Sequence, residues 1–142
     1  IYLTSNQANL LNTTISGYFI RIGGTTDEIS LYRKVAGVST KIIDGADGIT
    51  NSTNNYLKIK ITCSPTYEWK VERDISGTGN TFFTEGIITD ASIPTSSFFG
   101  ISITQSTASF FQKHFFDDFY VGPIIYDVSP PVLLTATAIS AY

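Results

Sequence analysis

Apolar and polar positions alternate with a period of two along most of this chain, in short runs broken by Gly, Asn, Asp and Pro clusters. Nowhere do apolar residues keep a 3.6-residue period long enough to form one face of a helix. Residues 1–5 read as a strand and residues 6–12 as a polar loop. Tyr18-Phe19-Ile20-Arg21-Ile22 is a strand stopped by Gly23-Gly24. Residues 28–33 alternate cleanly, with Ile29 and Leu31 on one face and Ser30 and Tyr32 on the other. After Ala36-Gly37 a short strand over 40–43 pairs back, closed by Asp44-Gly45 and Asp47-Gly48, and residues 49–55 form a long polar connection.

The clearest hairpin follows. Residues 56–63 place Leu57, Ile59, Ile61 and Cys63 on one side and Lys58, Lys60 and Thr62 on the other. After a turn over Ser64-Pro65-Thr66, residues 67–74 oppose Tyr67, Trp69 and Val71 to Glu68, Lys70 and Glu72. Gly77–Asn80 is a turn, 81–89 a strand bent near Glu85-Gly86, 98–104 a further strand interrupted by Gly100, and 113–120 the last. Many short strands with regular turn signals predict an all-β, antiparallel sandwich.

Composition narrows the classes. The 142 residues are enough for one domain with its own core, and a hydrophobic content of 42% excludes a disordered chain. Nine scattered Lys and Arg against twelve Asp and Glu give a net charge of −3. Nucleic-acid binding draws on clustered cations, so no nucleic-acid partner is expected. No apolar run is long enough for membrane insertion. One Cys and one His exclude a zinc site of the usual type. The absence of Met predicts a processed or cut piece of a longer protein.

The run Gly17-Tyr18-Phe19-Ile20-Arg21-Ile22-Gly23, then Ile29-Ser30-Leu31-Tyr32-Arg33, then Leu57-Lys58-Ile59-Lys60-Ile61 with Trp69-Lys70-Val71, then Phe116-Asp117-Asp118-Phe119-Tyr120-Val121-Gly122, resembles the concanavalin A-like (laminin G-like) jelly-roll domains. The resemblance spans residues 1–124 and is nearest to such domains in secreted and cell-surface proteins of Bacteroidetes-type bacteria. It implies an antiparallel jelly-roll β-sandwich lacking an N-terminal strand, since members usually carry one or more strands before Tyr2-Leu3-Thr4-Ser5. An edge beside the last strand would then be open. Residues 125–142, with Pro130-Pro131, would be a linker and the start of a following immunoglobulin-like or similar module. The implied setting is extracellular or at the cell surface.

Glycoside hydrolases on this fold share a Glu-x-Asp-x-x-Glu strand motif, which this chain lacks. Glu68, Glu72 and Asp74 share a strand face, but Lys70 between them marks a solvated face of mixed charge. His114 is the only histidine and no Gly-x-Ser-x-Gly occurs, so no enzyme is expected. Cys63 continues an inward apolar series and reads as a buried, inert thiol. A calcium site, as some laminin G-like domains have, would draw on Asp117 and on Asp44 and Asp47 of the turn after the 40–43 strand. Alternatively, Asp117 or Asp118 bonds backbone amides at a corner while the other faces water.

Aromatic rings with polar neighbours make a sugar platform. Phe19, Arg21 and Tyr32 are the candidate ligand-binding group, next to Lys58 and Lys60. Phe110, Phe111, Phe115 and Phe116 are expected to be mostly core, and Trp69 core. Asn12-Thr13-Thr14 and Asn51-Ser52-Thr53 match the glycosylation sequon, which matters only in a host that uses that pathway. The expected role is non-catalytic carbohydrate recognition or adhesion, with a glycan or surface polysaccharide and neighbouring domains of the same polypeptide as partners. The alternatives are a structural spacer and, third, a glycan-degrading enzyme.

Overall fold

The computed structural model describes residues 1–104 and 113–123. The chain divides into two units, Ile1–Phe111 and Gln112–Tyr142. Phe110, Phe111 and the expected linker and following module over 125–142 lie outside the described residues.

Among the described residues the protein is all-β, with no helix. The first unit contains β1 (Tyr2–Ser5), β2 (Gly17–Gly23), β3 (Glu28–Val35), β4 (Val38–Ile43), β5 (Lys58–Cys63), β6 (Glu68–Asp74), β7 (Phe83–Thr89) and β8 (Phe98–Gly100). They form two antiparallel sheets, ordered β4-β3-β2-β1-β8 and β5-β6-β7. The alternation seen in the sequence sets the layers of a sandwich-like arrangement. Tyr18, Ile20, Ile29, Leu31 and Ile43 from the larger sheet meet Trp69 and Val71 from the smaller one in a single core. Each fully buried aliphatic chain there contributes about 2 kcal/mol of transfer free energy. Gly86 lets the sheets approach, because a Cβ at that position would stand 2.7 Å from Ile43 Cγ2.

Two local irregularities re-aim side chains. The β3–β4 register shifts between Leu31 and Tyr32, so Ile43 faces Leu31 on the inside while Lys41 stands opposite Tyr32 on the outside. The β6–β7 register shifts between Val71 and Glu72, leaving Glu85 as the extra residue of a bulge. Its carboxylate pairs with Arg73 Nε and accepts the Ala46 amide at 2.9 Å, tying the loop after β4 to the second sheet. The β3–β4 turn needs left-handed backbone at Ala36 and Gly37 (φ 45° and 89°), and the Gly37 amide donates to the Ile15 carbonyl at 2.9 Å.

The structure departs from the sequence expectations at several places. Residues 113–120 do not form a strand, and Asp118 within them has a φ of 52° that no strand residue adopts. Phe115 and Phe116 are exposed rather than core. In that stretch the Phe116 and Phe119 rings lie 6.0 Å apart, and the Tyr120 hydroxyl donates to the Pro123 carbonyl at 2.6 Å. β8 ends at Gly100, short of the expected residue 104. Cys63 is exposed although it stands opposite buried Trp69, because it ends β5, the edge strand of its sheet, where the chain leaves into the Ser64-Pro65 turn.

Candidate functional site

The outer face of the larger sheet carries three aromatic rings on three adjacent strands. Tyr2 pairs with Phe19 across β1–β2, and Phe19 with Tyr32 across β2–β3. The ring centroids are 5.2 Å apart for Tyr2–Phe19, tilted by 36°, and 5.0 Å for Phe19–Tyr32, stacked within 8°. Such cross-strand pairs stabilise a sheet by about 0.2–1 kcal/mol each. Near-parallel stacking of Phe19 on Tyr32 means that these two rings use a face on each other.

Two cations cap the ladder. The Arg21 guanidinium carbon sits 5.2 Å from the Tyr32 ring centroid, and Lys34 Nζ 5.9 Å from that of Tyr2. Lys34 Nζ also donates to the Tyr2 hydroxyl at 3.2 Å. The register sets Lys34 opposite Gly17, so no side chain stands between its stem and Tyr2. Tyr2 is buried, Phe19, Tyr32 and Lys34 are half-buried and Arg21 is exposed. The sequence grouping of Phe19, Arg21 and Tyr32 is thus brought together on one face. Lys58 and Lys60 are not part of it, because β5 belongs to the other sheet. Tyr2 was missed, although its place on an alternating strand carried the signal.

Below the ladder on the same face lies a polar cluster. Glu28 is buried, and its Oε1 accepts the Ser30 hydroxyl at 2.8 Å and pairs with Lys41 Nζ at 2.6 Å. Lys41 Nζ also donates to Asp44 Oδ1 at 2.6 Å, and the Gly45 amide donates to Ser30 Oγ at 2.9 Å. The Lys41 ammonium, then the Ser30 hydroxyl, hold the Glu28 carboxyl down at about 2, while Asp44 and Glu28 push the lysine above its ordinary value. One ammonium thus bonds Glu28 Oε1 and Asp44 Oδ1, while Glu28 Oε2 is buried without a hydrogen-bond partner among the described residues. Asp47 is exposed on the same loop, and Asp117 is exposed in the second unit. Among the described residues no group of three or more His, Cys, Asp or Glu is placed to hold a metal ion.

Glu72 and Asp74 of the second sheet have structural partners. Glu72 pairs with Lys70 at 2.6 Å and Lys60 at 3.3 Å, and Lys70 first, against burial, draws its carboxyl below the ordinary range. Asp74 is buried and turned into the loop that follows β6. Its Oδ1 accepts the Ser76 hydroxyl and amide at 2.6 and 2.8 Å. Its Oδ2 accepts the Gly79 and Asn80 amides at 2.8 and 3.1 Å. The Ser76 hydroxyl leads the bonds that hold its carboxyl well below the carboxylate range.

A second polar knot joins the sheets on the inside. The Tyr18 hydroxyl donates to Asp90 Oδ1 at 2.7 Å, and Trp69 Nε1 donates to the Asp90 carbonyl at 3.2 Å. Arg33 Nη1 reaches Asp90 Oδ2 at 2.7 Å and Ser92 Oγ at 2.8 Å. The Tyr18 and Trp69 rings are 4.5 Å apart. Burial, with the adjacent carboxylate, pushes the Tyr18 hydroxyl up to about 12. Burial also pushes Asp90 up, but the Ser92 amide, Tyr18, the Ser92 hydroxyl and Arg33 together bring it below its ordinary value.

Comparison of the chain with protein-family models, with curated proteins and with solved structures finds no match. The geometry of the faces therefore carries the functional argument.

Proposed function

We propose that this chain is a non-catalytic module for carbohydrate recognition or adhesion within a larger secreted or cell-surface protein, of the concanavalin A-like jelly-roll class, and that its binding surface is the Tyr2–Phe19–Tyr32 ladder. The observation that carries this reading is the convergence of Phe19, Arg21 and Tyr32 on one partly exposed sheet face, with a third ring and a second cation beside them. Rings fix the position of a sugar, and neighbouring donors select its hydroxyl pattern.

The second reading is a structural spacer. It is favoured by the ladder's internal stacking, which leaves the ring faces satisfied by their neighbours. A glycan array probed with the folded 142-residue chain, with and without calcium, separates the two. Binding lost in Phe19→Ala and Tyr32→Ala variants supports recognition by this face. Silence across the array from folded protein supports the spacer. Binding abolished by chelator would instead move the site to Asp44, Asp47 or Asp117.

A further inference from the structure

Several cations of the described residues are matched to carboxylates: Arg33 to Asp90, Lys41 to Glu28 and Asp44, Lys60 and Lys70 to Glu72, and Arg73 to Glu85. Arg21 and Lys34 are different. Among the described residues neither has a carboxylate within ion-pair distance, and both lie on the aromatic ladder. The carboxylates of the polar cluster on this face, Glu28 and Asp44, are already held by Lys41. A chain whose net charge is −3 thus presents a locally cationic strip on its outer face.

We propose that this face recognises a carboxylated sugar, a uronic-acid residue of an acidic polysaccharide, with Arg21 and Lys34 as the anion contacts. The proposal rests on the carbohydrate reading of the same face and names its ligand class. A neutral sugar gains chiefly by lying flat on a free ring face, and here the Tyr32 ring is stacked by Phe19 and approached by Arg21. What the ladder offers outward is ring edge and cation. An exposed guanidinium forks a carboxylate through two parallel N–H···O bonds while its plane still covers an aromatic ring. Lys34 uses one of its three ammonium protons on the Tyr2 hydroxyl and keeps two for a ligand. The ladder is two strand spacings wide, roughly 10 Å, which suits a polymer better than a single sugar.

The test is retardation of the 142-residue chain in native gels containing polygalacturonate, alginate or hyaluronan. Methyl-esterified polygalacturonate and the neutral glucan laminarin serve as matched uncharged polymers. The expected result is retardation by at least one acidic polymer, lost on esterification and weakened by added salt. Arg21→Gln should weaken it about tenfold, equivalent to about 1.4 kcal/mol. Lys34→Gln should weaken it severalfold. Lys60→Gln, the same charge change on the other sheet, should leave it unaltered. Equal binding of neutral polymers, untouched by Arg21→Gln and Lys34→Gln, would overturn the acidic-sugar proposal and leave carbohydrate recognition standing. Binding to no polymer would overturn both. Retardation by inorganic polyphosphate as strong as by the uronates, and indifferent to Phe19→Ala, would overturn the proposal in favour of general polyanion attraction.

Discussion

Strands β2 and β3 carry two neighbouring register pairs with similar ingredients and opposite fates. Tyr18 and Arg33 face inward, Phe19 and Tyr32 outward, one residue along. Inside, an aromatic ring and an arginine are closed off by a carboxylate, Asp90, that accepts from both side chains. Outside, the arginine on the ladder, Arg21, has a ring beneath it and, among the described residues, no carboxylate within ion-pair distance. A charge that is neutralised within the protein stabilises the fold. One left open on a sheet face is available to something else. The difference between the two faces is a difference of partner, since each sets a tyrosine ring beside an arginine.

Variants that remove the inner partner should have the largest effect on stability. Asp90→Ala strands a half-buried arginine and removes the side-chain acceptor of the Tyr18 hydroxyl, leaving it only the backbone carbonyl. It should cost about 2–3 kcal/mol in denaturant unfolding, followed through the fluorescence of Trp69, the sole tryptophan. Tyr18→Phe keeps the ring against Trp69 and loses only the hydroxyl, so about 1 kcal/mol is expected by the same measurement. On the outer face, Tyr32→Ala should cost less than about 1 kcal/mol, the value of a cross-strand ring pair, while abolishing glycan retardation. Arg21→Gln should shift stability by less than about 0.5 kcal/mol. If Arg21→Gln proved as destabilising as Asp90→Ala, the contrast between the two faces would collapse.

Acid sharpens the same contrast. Glu28 titrates at about 2 in the folded protein against an ordinary value of 4.5. A depressed folded value means that its contribution is complete above 4.5 and drains away as the pH falls toward 2. Asp74, Asp90 and Glu72, all lowered, add slopes of the same sign. Unfolding midpoints measured from pH 7 to pH 3 should therefore fall, and Glu28→Gln should flatten part of that fall. Stability that rose on acidification would contradict the ion pairing described for both faces.

Most of the strand layout was legible in the alternation. Parity separated Ile29 and Leu31 from Ser30 and Tyr32, and the grouping of Phe19, Arg21 and Tyr32 on one face agrees with the register of β2 and β3. Parity cannot say which sheet a strand joins, which is why Lys58 and Lys60 were set beside a ladder that lies on the other sheet. Charged residues read as exposed, so the buried roles of Glu28 and Asp90 were hidden until loops folded over them. The loop signal at Asp74 was present in Ser76-Gly77-Thr78-Gly79, where glycines mark a turn, but the turn's dependence on one carboxylate was not. The run over 113–120 shows the converse. Its alternation is strand-like, yet alternation supplies no pairing partner, and the described residues there are exposed and unladdered.

The Asp74 carboxylate gathers the donors of the segment after β6 onto one point: Ser76 twice, then Thr78, Gly79, Asn80 and Thr81. A segment shaped by a hub at its base draws little of its form from the rest of the molecule. Exposed Ile75, which takes no part in the hub, is free to drift over generations without altering the path of the chain. The same economy makes this segment a natural place to graft a foreign peptide, provided that Asp74 and the hydroxyls of Ser76 and Thr78 are kept.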